Sequence, residues 1–337
     1  MTAFVRNHLI RDAIGQALYD AMREDDSICI FGEGAQVKVH YDAPQIETDF
    51  PDRVQTMPIS EDGNTNFAVG AALMGVKPVV DVIGADFLYR TLDSIGNTAA
   101  KINFVRGPDG GPCTIVIRSE FLLGGPTTGQ RPEAIFTHIP GLRVIVPSAP
   151  RDAYSLMRMP LATPGVTLFF EDRMIQDDDE WDPWDLETGH PEGDNSCGKS
   201  KWCYQGKRGN VTILSYGVMR QVVQRILRKY QFDGDYHGED YGMLCDLIDL
   251  RSLYPIDWSF ITKILERTGR LLIVEPDIKY GGIGAEIAAH FAETMPRVRI
   301  KRLGAPMTTI PASESLHSQM LPSEEEIVSA IRTLNQD

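Results

Sequence analysis

The sequence predicts an α/β protein of two domains, each a mostly parallel sheet flanked by helices. Three observations predict it. Short apolar runs alternate with helical periodicity over the first 175 residues, as stacked strand–helix units require. An acidic stretch rich in Gly, Pro and Trp breaks that pattern at 176–208. The alternation then resumes from 209 to 337. The expected domains are therefore 1–175 and 209–337, joined by a 176–208 linker.

The segment MTAFVRNHLIRDAIGQAL reads as an amphipathic first helix; Asp12 and the lack of a long apolar core argue against a signal peptide. SICIFGEG is a buried strand ending in a Gly turn. After Glu61 a Gly/Ala-rich run reads as a tightly packed helix. KPVVDVIGADF is the next strand, leading into a helical RTLDSIGNTAAKINFV. CTIVIRSE, LRVIVPSAP and VTLFFED are further strands, and RDAYSLMRMPLA is the helix before the last of them. Beyond the linker, NVTILSYGVMRQVVQRIL reads as strand then helix, CDLIDLRSLYPID as a strand, and FITKILERTGRLLIVEPD as helix then strand. GGIGAEIAAHFAETM is helical, VRIKRLGAP is the last strand, and EEEIVSAIRTLN is the last helix. Strand–helix–strand order favours parallel pairing.

Composition excludes several classes. The chain has 337 residues, 42% hydrophobic and 24% charged, with a formal net charge of −14. An acidic field of that size opposes binding to nucleic acid or to an anionic membrane surface. No apolar run is long enough to span a bilayer. The five cysteines are scattered and lack a zinc spacing, so reduced thiols in a cytoplasmic setting are expected.

The local motifs are weak singly. FGEG (31–34) and YGGIGAE (280–286) follow strands but complete no dinucleotide or Walker fingerprint. No G-x-S-x-G elbow is present, and His8, His138 and His317 form no triad visible in sequence. Glu61, alone, is an acid at a helix start, which the helix dipole favours anyway.

Their order along the chain is more specific. PISEDGNTNFAVGAALMGVKPVV, ADF with TLDSIGNTAAK, IRSEFLLGG, RPEAIFTHIPGLRVIVPSAPRDA, VTILSYG, LIDLRSLYPID and TGRLLIVEPDIKYGGIGAEI follow one another at characteristic spacing. In this the chain resembles the β subunit of the two-chain, thiamine diphosphate-dependent first component of 2-oxo acid dehydrogenase complexes, of the pyruvate and branched-chain type. That resemblance implies a transketolase-like pyrimidine-binding domain followed by a transketolase C-terminal-like domain used in subunit assembly. It implies decarboxylation of a 2-oxo acid and transfer of the acyl unit to lipoyl.

The resemblance gives Glu61 to N1′ of the cofactor's aminopyrimidine, as the catalytic acid. Ile59, Ile83 and Phe87 correspond to residues lining or stacking on the same ring, and Glu33 to an acid of a polar tunnel between paired sites. Asp152 falls where the family has a structural potassium site. No GDG motif followed by a suitably spaced Asn occurs; EDGN (61–64) and PDGG (108–111) do not fit it. Magnesium and diphosphate are then expected on a partner α chain, in an α2β2 heterotetramer, with a lipoyl acyltransferase as a further partner. One departure stands out. Where dehydrogenase relatives carry a His-Ser-Gln triplet facing the channel, this chain has Thr128-Gly129-Gln130, and Thr127 precedes it. A hydroxyl cannot replace an imidazole as acid or base near neutral pH. A two-subunit carboligase or decarboxylase, or a split transketolase-like enzyme working without lipoyl, therefore stays open, and behind it a non-catalytic scaffold.

Overall fold

A computed structural model describes residues 8–36, 43–122, 125, 127–175, 200–204, 210–232, 245–317 and 319–336. The chain forms two compact units.

The first unit opens with α1 (His8–Glu24) and β1 (Ile28–Glu33), followed by α2 (Gln45–Asp49), β2 (Val54–Met57), α3 (Glu61–Leu73) and β3 (Lys77–Gly84). A 3₁₀ helix (Ala85–Thr91), a π-helical turn (Ser94–Ala99) and α4 (Ile102–Arg106) lead to β4 (Thr114–Phe121). Then come α5 (Glu133–Thr137), β5 (Leu142–Ile145), α6 (Pro150–Ala162) and β6 (Gly165–Asp172). The strands run parallel in the order β5-β6-β4-β3-β1-β2. Every residue of the central β4 is buried, as a strand covered on both faces must be. Its Arg118 is therefore paired, with Glu171 Oε1 of β6 at 2.7 Å. Helix α6 lies against α1, where the Tyr154 hydroxyl donates to Asp20 at 2.8 Å.

Two details differ from the sequence pattern. The short β2 was not expected; it exposes two of its four side chains, too few apolar positions to mark a strand. The 90–105 stretch is not one helix. Thr91 and Ser94 hydroxyls donate back to the carbonyls of Leu88 and Thr91, at 2.8 and 3.1 Å, and Gly96-Asn97-Thr98 are weak helix formers. The turn there tightens, then widens, instead of propagating.

The second unit contains β7 (Lys201–Tyr204), β8 (Val211–Ser215), α7 (Gly217–Phe232), β9 (Cys245–Asp249), β10 (Ser252–Tyr254) and α8 (Trp258–Thr268). β11 (Arg270–Ile278), α9 (Ile283–Thr294), β12 (Arg299–Ala305), α10 (Glu314–His317) and α11 (Glu324–Gln336) complete it. One sheet runs β12-β11-β8-β9-β7, parallel except for the antiparallel β7. β7 lies within the 176–208 segment; 176–199 and 205–208 fall outside the described residues. Helix α8 carries its own stop signals. The Asp257 carboxylate accepts the Phe260 N–H at 3.2 Å, and Gly269 ends the helix at φ +65°.

Gly32, Gly282 and Gly284 of the candidate phosphate loops have packing roles. At Gly282 and Gly284 a Cβ would lie 2.6 and 2.7 Å from the Glu275 carboxylate, which accepts the Gly284 N–H at 2.9 Å. At Gly32 (φ +146°) a Cβ would lie 2.2 Å from the Asp81 carbonyl oxygen on β3. Gly32→Ala should therefore destabilise the chain by about 3 kcal/mol, through both the backbone conformation and the clash. Gly70→Ala, in α3 with open space around it, should instead stabilise by about 0.5–1 kcal/mol. Urea unfolding midpoints of the two variants test the pair.

Candidate functional site

β1 ends at Glu33 and α3 begins at Glu61, so both acids lie at the carboxyl end of a parallel sheet, where ligands of such folds bind. Gly32 permits the close approach of β1 to β3 that fixes Glu33. Glu33 is 4% exposed and Glu61 7%. Glu33 Oε1 accepts the Ser60 N–H at 2.9 Å, which ties the end of β1 to the residue before α3. Asn64 reinforces the same turn by donating to the Pro58 carbonyl at 3.0 Å. Burial, and then the negative charge of Glu61, push the Glu33 carboxyl above its ordinary value. The Glu61 carboxylate faces Arg90 Nε at 3.4 Å, and the Arg90 side chain is largely in water.

An apolar surface borders the acids. Ile59 is 84% exposed, Ile83 is partly exposed at the end of β3, and Phe87 is half-buried in the 3₁₀ helix. A Cβ on Gly34 would stand 3.9 Å from Ile83 Cδ1, and one on Gly84 3.1 Å from Phe87 Cδ2. The structure thus gathers Glu33, Glu61, Ile83 and Phe87 around the ends of β1 and β3, with Ile59 two residues before Glu61.

The Thr127–Gln130 loop joins this region through a residue that motif reading did not mark. Asp86 Oδ2 accepts the Gly129 N–H at 3.0 Å, and Oδ1 accepts the Gln130 N–H at 2.9 Å. Thr127 is exposed, while Thr128 and Gln130 are half-buried. Arg131 then closes the loop with two contacts of 3.0 and 2.9 Å to the Asp172 carboxylate. Asp86 and Arg90 lie in a stretch whose pattern suggested only strand then helix. The available signal was an acid immediately before an aromatic at a strand exit.

Asp152 sits apart from this group, buried in the first turn of α6, on another connection of the same sheet. EDGN opens α3 and PDGG includes a 3₁₀ turn. Among the described residues, no group of three or more His, Cys, Asp and Glu is arranged to hold a metal. Cys29, Cys113 and Cys245 are free thiols, and no described helix is long and apolar enough to cross a membrane.

Residues 8–176 match the family described as transketolase, pyrimidine binding domain, and residues 200–327 match the transketolase C-terminal domain. A pyruvate dehydrogenase E1 component subunit beta-2 of Oryza sativa is 30% identical, over 98% of this chain and 87% of its own. A 2-oxoisovalerate dehydrogenase subunit beta of Bacillus subtilis is 28% identical, over 96% and 97%. The corresponding mitochondrial subunit of Chaetomium thermophilum is 32% identical over 88% of this chain, which spans 61% of that longer protein. A solved chain of a split-gene transketolase, described as an inactive beta4 tetramer, shares the fold at TM-score 0.78 and 19% identity, covering 97% of this chain and 98% of its own. With both domains matched in order and these relatives alignable along most of its length, the chain belongs to the family of β subunits of thiamine diphosphate-dependent 2-oxo acid dehydrogenases, built from a transketolase-like pyrimidine-binding domain and a transketolase C-terminal domain.

Proposed function

We propose that this chain is the β subunit of a heteromeric enzyme that decarboxylates a 2-oxo acid with thiamine diphosphate and passes the acyl unit to lipoyl. The observation that carries it is the buried Glu61 carboxylate at the start of α3, at the same end of the sheet as the apolar side chains of Ile83 and Phe87 and two residues after the exposed Ile59. An aminopyrimidine has apolar faces and a basic ring nitrogen at its edge, and these residues suit both. Thiamine diphosphate, when bound, supplies the electron sink that loss of a carboxylate needs. Glu61 would hold a proton at ring atom N1′, which a carboxylate can exchange and an amide cannot. Phe87 would stack on the ring, and Ile59 and Ile83 would keep water from it. Glu33 would hold the Glu61 charge in place through the Ser60 backbone. Arg90 would supply the countercharge to Glu61 before the ring arrives.

Only half of a site is supported on this chain. Magnesium and the diphosphate are assigned to an α chain, in an α2β2 assembly. Bare apolar groups support extensive subunit contact: Met74 and Phe104 in the first unit are 84% and 90% exposed, and Tyr280 and Met307 in the second are also largely bare. Potassium near Asp152, a lipoyl acyltransferase partner and a cytoplasmic setting complete the proposal, each on the strength of the family resemblance or of the scattered free thiols. Pyruvate and 2-oxoisovalerate, named for the relatives, are the first substrates to try.

Glu61→Gln in the reconstituted α/β pair should lower kcat by about 10²–10⁴-fold in a decarboxylation assay with an artificial electron acceptor. Retained turnover would remove the proposed cofactor role. Thr128 supplies the specific reason to measure the second half-reaction separately. Reduction of a lipoyl domain should proceed at a rate comparable to the artificial acceptor; dye reduction without lipoyl acylation would favour the lipoyl-independent enzyme instead.

Glu33 yields a pH prediction for the isolated chain. Its folded pKa lies above the ordinary 4.5, so between those two values the unfolded state releases its proton first. Stability is therefore lost as pH rises through that window, and the loss persists above it. Glu33→Gln keeps an acceptor for the Ser60 N–H but never ionises. The Tm difference, variant minus wild type, should shift upward from pH 4 to pH 8; a difference that stays flat with pH contradicts it.

A further inference from the structure

We propose that Asp86 is a positioning residue that clamps the Thr127–Gln130 loop at a set distance from Glu61, and so governs how the substrate channel is shaped. The functional half of this rests on the thiamine diphosphate assignment above; the clamp itself does not.

The geometry is specific. Asp86 follows β3 by two residues, in the first turn of the Ala85–Thr91 3₁₀ helix, and is 8% exposed. Each of its carboxylate oxygens accepts one peptide N–H, from Gly129 at 3.0 Å and Gln130 at 2.9 Å. Successive peptide N–H groups reach one carboxylate where the backbone turns sharply enough to aim them the same way. Here Gly129 does so at φ +102°, a conformation that favours glycine. The loop thus has an anion site of its own, and Asp86 fills it from 43 residues away.

The other contacts of the same short helix give the clamp a consequence. Phe87 is the next residue, and Arg90, one turn on, faces Glu61 at 3.4 Å. A single seven-residue element therefore connects the loop bearing Thr128 to the catalytic acid. Its Thr91 hydroxyl donates back to the Leu88 carbonyl at 2.8 Å, which ties down its last turn. Burial outweighs the two N–H contacts and pushes the Asp86 carboxyl above its ordinary value. Such a cost is kept in a fold where the group holds something in place. The loop's own side chains do little to fix it, since Thr127 is exposed and Thr128 and Gln130 are only half-buried.

Asn at position 86 keeps the shape but turns one acceptor into a donor facing an N–H. Ala removes both acceptors. The test uses the reconstituted α/β complex with saturating thiamine diphosphate, comparing wild type, Asp86→Asn and Asp86→Ala by hydrogen exchange of peptides covering 127–131. Exchange should quicken by about tenfold in Asn and further in Ala. With pyruvate or 2-oxoisovalerate, whichever the wild type uses, KM should rise by at least about fivefold while kcat falls less. Thiamine diphosphate Kd, read from fluorescence quenching, should change by less than KM does, because Glu61 and Phe87 keep their side chains and the Thr91 hydroxyl still ties down the helix that carries Phe87. Unchanged exchange in an assembled Asp86→Ala complex overturns the clamp. Faster exchange with an unmoved KM overturns its role in the channel. Should Asp86→Ala fail to assemble, Asp86→Asn decides by the same two readouts. Retained turnover in Glu61→Gln would instead count against the cofactor assignment, and the exchange measurement would still decide the clamp.

Discussion

Two carboxylates held side by side out of water set the terms for the first unit. Glu33 and Glu61 repel each other, and each is costly to bury. Nearby parts of the fold offset that cost. The Ser60 N–H satisfies Glu33, the start of α3 presents its positive end to Glu61, and Arg90 brings a cation from the solvent side. None of these could act without Gly32, which lets β1 pass the Asp81 carbonyl closely enough to place Glu33 where it is. Such a pair adds little to stability that apolar residues of the same volume would not supply, which makes it a candidate for chemistry.

The second unit solves a similar problem with a different outcome. Glu275 is fully buried, and its contacts are complete: the Gly284 N–H at 2.9 Å and the Arg302 guanidinium at 3.1 Å. Gly282 and Gly284 lie so close that no side chain fits between them and the carboxylate. This acid is sealed against β11 and α9, as a structural element would be. Glu61 differs in having an exposed cation as its ion-pair partner. The contrast is between a carboxylate enclosed by backbone and one whose partner is open to solvent, and it is this difference, more than burial, that makes Glu61 and not Glu275 the candidate for chemistry.

Strand and helix content was legible because parallel, doubly covered strands read as continuous apolar runs, and β4 and β8 are buried throughout. Glu61, Glu33, Ile59, Ile83 and Phe87 could be singled out because they sit inside ordered motifs, and the structure places Glu33, Ile83 and Phe87 at or just beyond the ends of β1 and β3. Asp86 and Arg90 were not. Their partners, Gly129, Gln130 and Glu61, are far away in sequence, and no periodicity encodes a contact across 43 residues. The irregular helix over 85–106 was hidden for a related reason. Side-chain hydroxyls bonding back to carbonyls decide its pitch, whereas the apolar pattern suggests only that it is helical. Gly282 and Gly284 looked like a ligand loop because a glycine needed for packing and one needed for a phosphate leave the same trace in sequence.

The departure at Thr128 gains meaning from this arrangement. A histidine at that position would bring a titratable ring into a loop held by a buried anion. Threonine brings a short, neutral hydroxyl, while the backbone N–H groups of Gly129 and Gln130 turn onto Asp86. The loop is therefore ordered by its backbone and not by the side chain that would do the proton chemistry. Precise placement without an acid–base group at the loop suits a task of shape, admitting one 2-oxo acid and excluding another. In the proposed site Glu61 would hold its proton at the cofactor ring, so any acid–base group nearer the substrate would come from the partner chain. If the acyl unit passes to lipoyl as proposed, the proton donor for that transfer has to come from elsewhere in the assembly, because a threonine hydroxyl cannot act as an imidazole does near neutral pH.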